Sequence, residues 1–205
     1  MAFTGFPNEA FEFYEQLEAD NSKAFWQSHK DVYERACRRP MEELFAALET
    51  DYGGSAKIFR PNRDVRFSAD KSPYKTQIAG HNEKAYIALS ADGLYVGGGG
   101  YMWEPPALAR YRAAVDDDKA GPDLEKIVAA LEKKGYEIGG EALKLAPRGF
   151  SNDHPRIRLL RNKGLHAGQQ FPPEPWLSTK AALTRVKKVI AGLDPLHAWI
   201  DTHMS

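Results

Sequence analysis

The sequence predicts an α+β fold, in which helices at both ends of the chain pack on an antiparallel β meander. Two observations favour it: apolar residues recur at helical spacing near both termini, and short apolar segments with short links occupy the middle. One link is Asp92-Gly93, and Asp-Gly between apolar runs is a strong hairpin signal. With 205 residues, the chain fits one domain, which we expect to cover residues 1–205.

Three helices are predicted over the first fifty residues. The first begins after Pro7, residues 20–22 cap the second, and Pro40 opens the third, because proline suits a first helical position. Gly53-Gly54 ends this helical block. The residues that recur at helical spacing are Ala10, Phe13, Tyr14 and Leu17, then Phe25, Trp26, His29, Tyr33 and Ala36, then Met41, Leu44, Phe45 and Leu48.

Four strands are predicted in the middle of the chain, and the last two flank the Asp92-Gly93 turn. They cover residues 57–59, 76–81, 85–90 and 94–97. The glycines at residues 97–100 remove side chains from a strand end, which is typical of a bulge or a close backbone approach.

Helices dominate the predicted C-terminal half. They cover residues 104–115, 121–135, 181–191 and 195–202. Two segments, residues 136–138 and 156–160, are predicted to return to the sheet as strands. Residues 172–175, Pro-Pro-Glu-Pro, form a stiff connection before the last two helices.

Charge is balanced overall but unevenly distributed. The formal net charge is zero, so the protein as a whole has no field that attracts nucleic acid or an acidic membrane. Residues 57–75 and 141–163 each carry six basic and two acidic side chains, an excess of four positive charges. We expect these two basic segments to converge on one local anion site.

Composition also excludes several classes of protein. Cys37 is the only cysteine, which rules out an intrachain disulfide and indicates a reducing cytoplasm, with Cys37 itself buried in a helix. The N-terminus lacks the pattern of a signal peptide, and no apolar stretch approaches the roughly 20 residues of a membrane span. The histidines lack metal-ligand spacing, so we predict no metal, no cofactor and no membrane partner.

Residues 60–74 are the densest polar stretch of the chain. Arginine presents a rigid fork of donors that fits carboxylates and phosphates, and charges buried without partners are very unfavourable. The stretch therefore predicts an organised site for a small anionic, phosphorylated ligand. In that site Arg60, Arg63 and Arg66 hold the anion, Asp64 orients them, and Lys71, Tyr74 and Arg148 complete the pocket.

The same stretch resembles the signature of a bacterial family catalogued as domain of unknown function 2461, Arg-x-x-Arg-Asp-x-Arg-Phe-x-x-x-Lys-x-x-Tyr. The matching positions are Arg60, Arg63, Asp64, Arg66, Phe67, Lys71 and Tyr74. Shorter phrases at residues 5–7, 21–23, 143–149 and 153–155 extend the resemblance over nearly the whole chain. That family has no assigned function, so the resemblance implies no particular activity.

Three residues are candidates for catalysis, and whether the protein is an enzyme stays open. Lys71 lies among arginines, which favours its neutral form and a role as base or nucleophile. Tyr74 is a candidate donor to an oxyanion, and His154 is a candidate acid–base group because of its residue type. Asp153 is not the expected partner of His154, because adjacent side chains rarely face each other. In the alternative, residues 70–73 form a solvated turn over which Tyr74 packs, and for Lys71 and Tyr74 we favour contact with an anion over catalysis.

Two further hypotheses come from other classes of protein. The basic segments, with Tyr86, Tyr95 and Tyr101 as stacking surfaces, would suit a nucleic-acid-binding module. Alternatively, the cluster is an internal Arg–Asp ion-pair network in a structural or interaction domain. A phosphate or sulfate in a deep cleft would favour the small ligand. A long exposed basic stripe would favour the nucleic-acid-binding module, and saturated Arg–Asp pairing inside the cluster would favour the structural domain.

Overall fold

The computed structural model, which describes residues 2–204, contains helices and an antiparallel sheet. The elements are α1 (Asn8–Ala19), α2 (Lys23–Val32), α3 (Arg39–Tyr52), β1 (Lys57–Ile58), β2 (Gln77–His81), β3 (Tyr86–Ser90), β4 (Gly93–Gly100), α4 (Pro105–Asp116), α5 (Ala120–Lys133), β5 (Glu137–Gly139), α6 (Ile157–Leu160), β6 (Leu165–Phe171), α7 (Ala181–Gly192) and α8 (Asp194–Met204). The described strands form one sheet in the order β1-β2-β3-β4-β6-β5. The predicted α+β class and its antiparallel meander are confirmed.

The second and third helices are continuous through a π-helical segment, Tyr33–Arg38. Arg39 donates its backbone N–H to the Glu34 carbonyl, five residues back. Pro40 follows at the start of α3, where its missing N–H removes an ordinary helical hydrogen bond. The wider turn therefore lets the chain pass a proline without ending the helix.

The predicted hairpin forms β3 and β4, which are joined by the turn at Ala91 and Asp92. Gly93 has a φ of 105°, and a Cβ there would lie 2.0 Å from the Phe171 carbonyl oxygen. Both the backbone conformation and the close approach require glycine at this position.

The predicted strand at residues 156–160 is wrong, because the segment forms α6. Leu159 and Leu160 are both buried, and consecutive buried residues fit a helical turn better than a half-buried strand. The last strand of the sheet is instead β6, which was not predicted. Its polar residues His166, Gln169 and Gln170 interrupt the apolar pattern from which a strand is predicted.

The chain divides into two compact units. The first comprises the residues up to Val96 together with Gln170–Lys188, and the second comprises Gly97–Gln169 together with the residues from Val189 on. The single domain expected from chain length stays a prediction.

Each unit has its own buried apolar residues. The core of the first includes Phe6, Tyr14, Leu17, Leu44, Phe45, Leu48, Ile78, Ile87 and Leu89. That of the second includes Tyr111, Val115, Leu124, Leu131 and Leu160. Over residues 2–204, no helix combines the length and the apolar character that a membrane span requires.

Candidate anion site

The stretch that carries the family signature forms a loop with a hydrogen-bonded base; we call residues 60–75 the signature loop. Asn62 and Tyr74 form an antiparallel bridge. Around it, the Arg63 N–H donates to the Pro73 carbonyl at 2.9 Å, and the Lys75 N–H donates to the Pro61 carbonyl at 2.8 Å. The loop therefore leaves and rejoins the fold at fixed positions.

Asn21 and Trp26 hold Tyr74 in place. The Tyr74 N–H donates to Asn21 Oδ1 at 3.0 Å, and Asn21 Nδ2 donates to the Tyr74 carbonyl at 3.1 Å. The Tyr74 ring stacks on Trp26 with 4.3 Å between centroids and 10° between planes, and it is buried. Tyr74 is thus a rigid wall rather than a mobile side chain.

A polar cleft of about 450 Å³ opens beside this wall in the first unit. Its lining combines two cations, two carboxylates and several neutral hydrogen-bonding groups. The lining residues are Glu18, Asn21, Arg63, Asp70, Ser72, Tyr74, Lys75, Thr76 and Gln77.

Two ion pairs organise the signature loop. Arg66 is held by Asp64 through two hydrogen bonds, of 2.9 Å from Nε and 2.6 Å from Nη2, and the same contact lowers the pKa of Asp64. Arg63 pairs with Asp70, and this contact, followed by hydrogen bonds from Ser72, lowers the pKa of Asp70. The Arg66–Asp64 pair is open to solvent, with side-chain exposures of 76% and 47%, whereas in the other pair Arg63 is 29% and Asp70 56% exposed.

Three cations of the loop, Arg60, Lys71 and Lys75, have no carboxylate within ion-pair distance among the described residues. Of these, Lys75 lines the cleft, and its Nζ lies over the Phe59 ring, 5.4 Å from the centroid. Burial lowers the pKa of Lys75, and the charge of Arg60 lowers it further. Arg60 and Lys71 are not among the lining residues, so Lys75 is the cleft cation without a carboxylate partner among the described residues.

The structure brings some of the predicted site residues together and separates others. Arg63 and Tyr74 line the cleft. Lys71 donates to the Val65 carbonyl at 2.9 Å and is exposed, and Phe67 at the loop tip is 97% exposed. Arg148 is an exposed residue of the second unit, in a turn closed by a hydrogen bond from Phe150 N–H to the Pro147 carbonyl. Convergence of the two basic segments stays a prediction.

Of the nine residues that line the cleft, sequence reasoning assigned only Arg63 and Tyr74 to the site, and Lys75 and Asn21 are two of those it missed. Lys75 contributed to the count of basic residues in its segment but was not assigned to the site. Asn21 belongs to the phrase at residues 21–23 that resembles the family, which was a usable signal. Its two hydrogen bonds to Tyr74 span 53 positions, and local spacing does not reveal a contact of that kind.

His154 in the second unit has both ring nitrogens engaged. Nδ1 accepts the Arg156 N–H at 3.0 Å, so Nε2 carries the proton and donates to Asp116 Oδ1 at 2.9 Å. Arg156 in turn donates to the Val115 carbonyl at 2.6 Å. Asp116, and not Asp153, is therefore the carboxylate that orients the ring. With no free lone pair, His154 stabilises the end of α4, and the geometry favours a structural role over catalysis.

Metal ligation has no structural basis in the part of the chain that the structure describes. Within it, no group of three or more His, Cys, Asp and Glu side chains is arranged to hold an ion.

The fold and the cleft define an α+β protein with a polar cleft lined by the signature loop, by Glu18 and Asn21, and by Thr76 and Gln77. A family described as "Conserved hypothetical protein (DUF2461)" matches residues 9–199, and the chain belongs to that family. The resemblance seen in the signature is thereby confirmed. No curated protein and no solved structure matches the chain.

Proposed function

We propose that the protein binds a small anionic ligand, with a phosphate group as the favoured anion, in the cleft beside the signature loop. One observation carries the proposal: Lys75 lines the polar cleft and has no carboxylate partner among the described residues. An anion bound beside Lys75 would offset the charge of Arg60, which lowers the pKa of Lys75.

The other lining residues suit such a ligand. Arg63 supplies a second cation, already oriented by Asp70, and a guanidinium group can bind phosphate through two parallel hydrogen bonds. Ser72, Thr76 and Gln77 add neutral hydrogen-bonding groups. Asp70 and Glu18 keep the empty cleft close to neutral, so ligand binding requires Arg63 to exchange a carboxylate for the anion.

The remaining predicted residues have supporting roles in this proposal. Asp64 orients Arg66 at the mouth of the loop, Lys71 holds the loop through the Val65 carbonyl, and Tyr74 is the wall of the cleft. Arg148 belongs to the second unit, and its role as an anion contact stays a prediction. Because Cys37 is a free, buried thiol, the proposed setting is the cytoplasm.

A structural ion-pair network is the second candidate, and the pairs Arg63–Asp70 and Arg66–Asp64 favour it. Ion pairs that are open to solvent contribute little to stability, however. A network also gives no role to Arg60 and Lys75. The anion hypothesis gives a role to Arg63 and Lys75, which line the cleft, and to Arg60, which is why we prefer it.

The test is a thermal-shift experiment with phosphate, pyrophosphate, sulfate and citrate at low ionic strength. A ligand that binds only the folded state raises Tm. We expect at least one of these anions to raise Tm of the wild type, and the shift to be lost in Lys75→Met. Lys30→Met, which removes an exposed lysine of α2, is the matched control and should keep the shift. Equal shifts in all three proteins, or none in the wild type, would refute the proposal.

A further inference from the structure

An aromatic row crosses one face of the sheet in the first unit; it consists of Phe59, His81, Tyr86 and Tyr95. His81 and Tyr86 are directly paired in the register of β2 and β3, and Phe59 donates its N–H to the Ala79 carbonyl. Ring centroids are 5.5 Å apart for Phe59 and His81, 6.4 Å for Phe59 and Tyr86, and 6.1 Å for Tyr86 and Tyr95.

The row lies on the sheet face opposite the core. Side chains alternate along a strand, and the paired residues Ile78 and Leu89 on the other face are fully buried. The rings of Phe59, Tyr86 and Tyr95 are half-buried, and His81 is exposed. Aromatic surface is therefore accessible on this face.

Two residues connect the row to the cleft. Lys75 lines the cleft and places its Nζ over the Phe59 ring at 5.4 Å. Gln77 also lines the cleft, and its Nε2 donates to the Tyr86 hydroxyl at 3.2 Å. The cationic site and the aromatic surface are thus adjacent parts of one site.

We propose that the ligand is a nucleoside monophosphate or a similar phosphorylated aromatic heterocycle, whose ring stacks on the aromatic row while its phosphate binds Lys75, Arg60 and Arg63. This inference rests on the proposed function, since it specifies the ligand of the same cleft. A ligand with an anionic end and a flat, apolar end matches both halves of the site, whereas a simple metabolite phosphate uses only one.

The arrangement favours a mononucleotide over a nucleic-acid strand. Binding of a strand depends on several phosphate contacts along a basic groove. Here the chain is neutral overall, and the cleft is lined by two cations among the described residues, Arg63 and Lys75. That group suits one phosphate.

The experiment compares the affinities of the four nucleoside 5′-monophosphates with those of ribose 5-phosphate and inorganic phosphate by calorimetric titration. Stacking of one base on an aromatic side chain strengthens binding by about 10-fold or more. We therefore expect at least one nucleotide to bind about 10-fold tighter than ribose 5-phosphate. Tyr86→Leu should abolish that difference and leave ribose 5-phosphate binding unchanged. Tyr101→Leu, at an exposed tyrosine outside the row, should preserve it.

The outcomes separate the two proposals. Equal affinity for the nucleotides and ribose 5-phosphate in the wild type would overturn the stacking inference and leave anion binding intact. If no phosphorylated compound or inorganic phosphate binds, both proposals fail. Binding of a single-stranded oligonucleotide without binding of any mononucleotide would replace this inference with nucleic-acid recognition. If Tyr86→Leu does not fold, Tyr95→Leu, in the same row, replaces it.

Discussion

Arg63 is the residue at which the ligand-binding and structural explanations of the cluster differ most. It lines the cleft, and it pairs with Asp70 across a contact that is partly open to solvent. Because exposed pairs add little stability, we predict that Arg63→Ala leaves the free energy of unfolding of the ligand-free protein nearly unchanged and weakens anion binding. Chemical denaturation and an anion titration measure the two effects.

Arg66→Ala is the matched control for that prediction. It removes the same charge from the same loop, but Arg66 is held by Asp64 and does not line the cleft. Its effect on anion affinity should therefore be smaller than that of Arg63→Ala. A large loss of stability in Arg63→Ala would instead support the ion-pair network.

Cys37 provides a second prediction at the level of single residues. It is buried, as the sequence predicted, and burial raises the pKa of its thiol to about 12. Since only the thiolate is nucleophilic, the folded protein should not react with a disulfide reagent near pH 8. Reaction should appear when urea unfolds the chain, and fast reaction of the folded protein would contradict the described burial.

Pairing within the site was predictable only where the partners are close in sequence. Asp64 and Arg66 are two residues apart, and the sequence already assigned Asp64 to orienting an arginine. Arg63 pairs with Asp70 rather than with its neighbour Asp64, because the loop folds back between residues 63 and 70. Contacts such as Asn21 with Tyr74 depend on tertiary structure and lie beyond sequence patterns.

Among the elements, the β3–β4 hairpin gives the sharpest prediction. Gly93→Ala places a Cβ 2.0 Å from the Phe171 carbonyl oxygen at a φ of 105°. Strain and overpacking together should lower the free energy of unfolding by about 2–5 kcal/mol. Urea denaturation measures the change.

Gly53→Ala is the control for Gly93→Ala. Gly53 has a φ of 70° but no atom within 4 Å of an added Cβ, so only backbone strain of about 1–2 kcal/mol is expected. An equal loss in both variants would show that the contact with Phe171 is unimportant.

The elements also show where sequence patterns fail. Asp92-Gly93 correctly predicted the hairpin, because turn chemistry is local. Segment 156–160 was assigned to the sheet because a short apolar run does not distinguish a strand from a helical turn. Strand β6 was missed for two reasons. It contains Gly168, and glycine is a poor strand former, and its glutamines break the apolar run.

At the scale of the whole molecule, the expectation of one domain is tested by the tryptophans. Strands β4 and β6 each contribute residues to both compact units, so we predict that the units unfold in one transition. Trp26 lies in the first unit, and Trp103 and Trp199 lie in the second. One variant retains only Trp26, and another retains only Trp103 and Trp199. The fluorescence of the two variants should give the same urea midpoint. Separate midpoints would indicate two domains.

The central claim is that an anion completes the cationic cleft, and the ionisation of Lys75 tests it most directly. Burial and the charge of Arg60 lower the pKa of Lys75 in the ligand-free protein. A bound anion stabilises the charged amine, so it must raise that pKa, just as protonation of Lys75 must strengthen anion binding. The measurement is a pH titration of the Lys75 side-chain NMR signal, assigned with Lys75→Met, without and with the anion that raises Tm most. A pKa below the ordinary lysine value that rises when the anion is added is the predicted result; the same pKa with and without it would contradict the account.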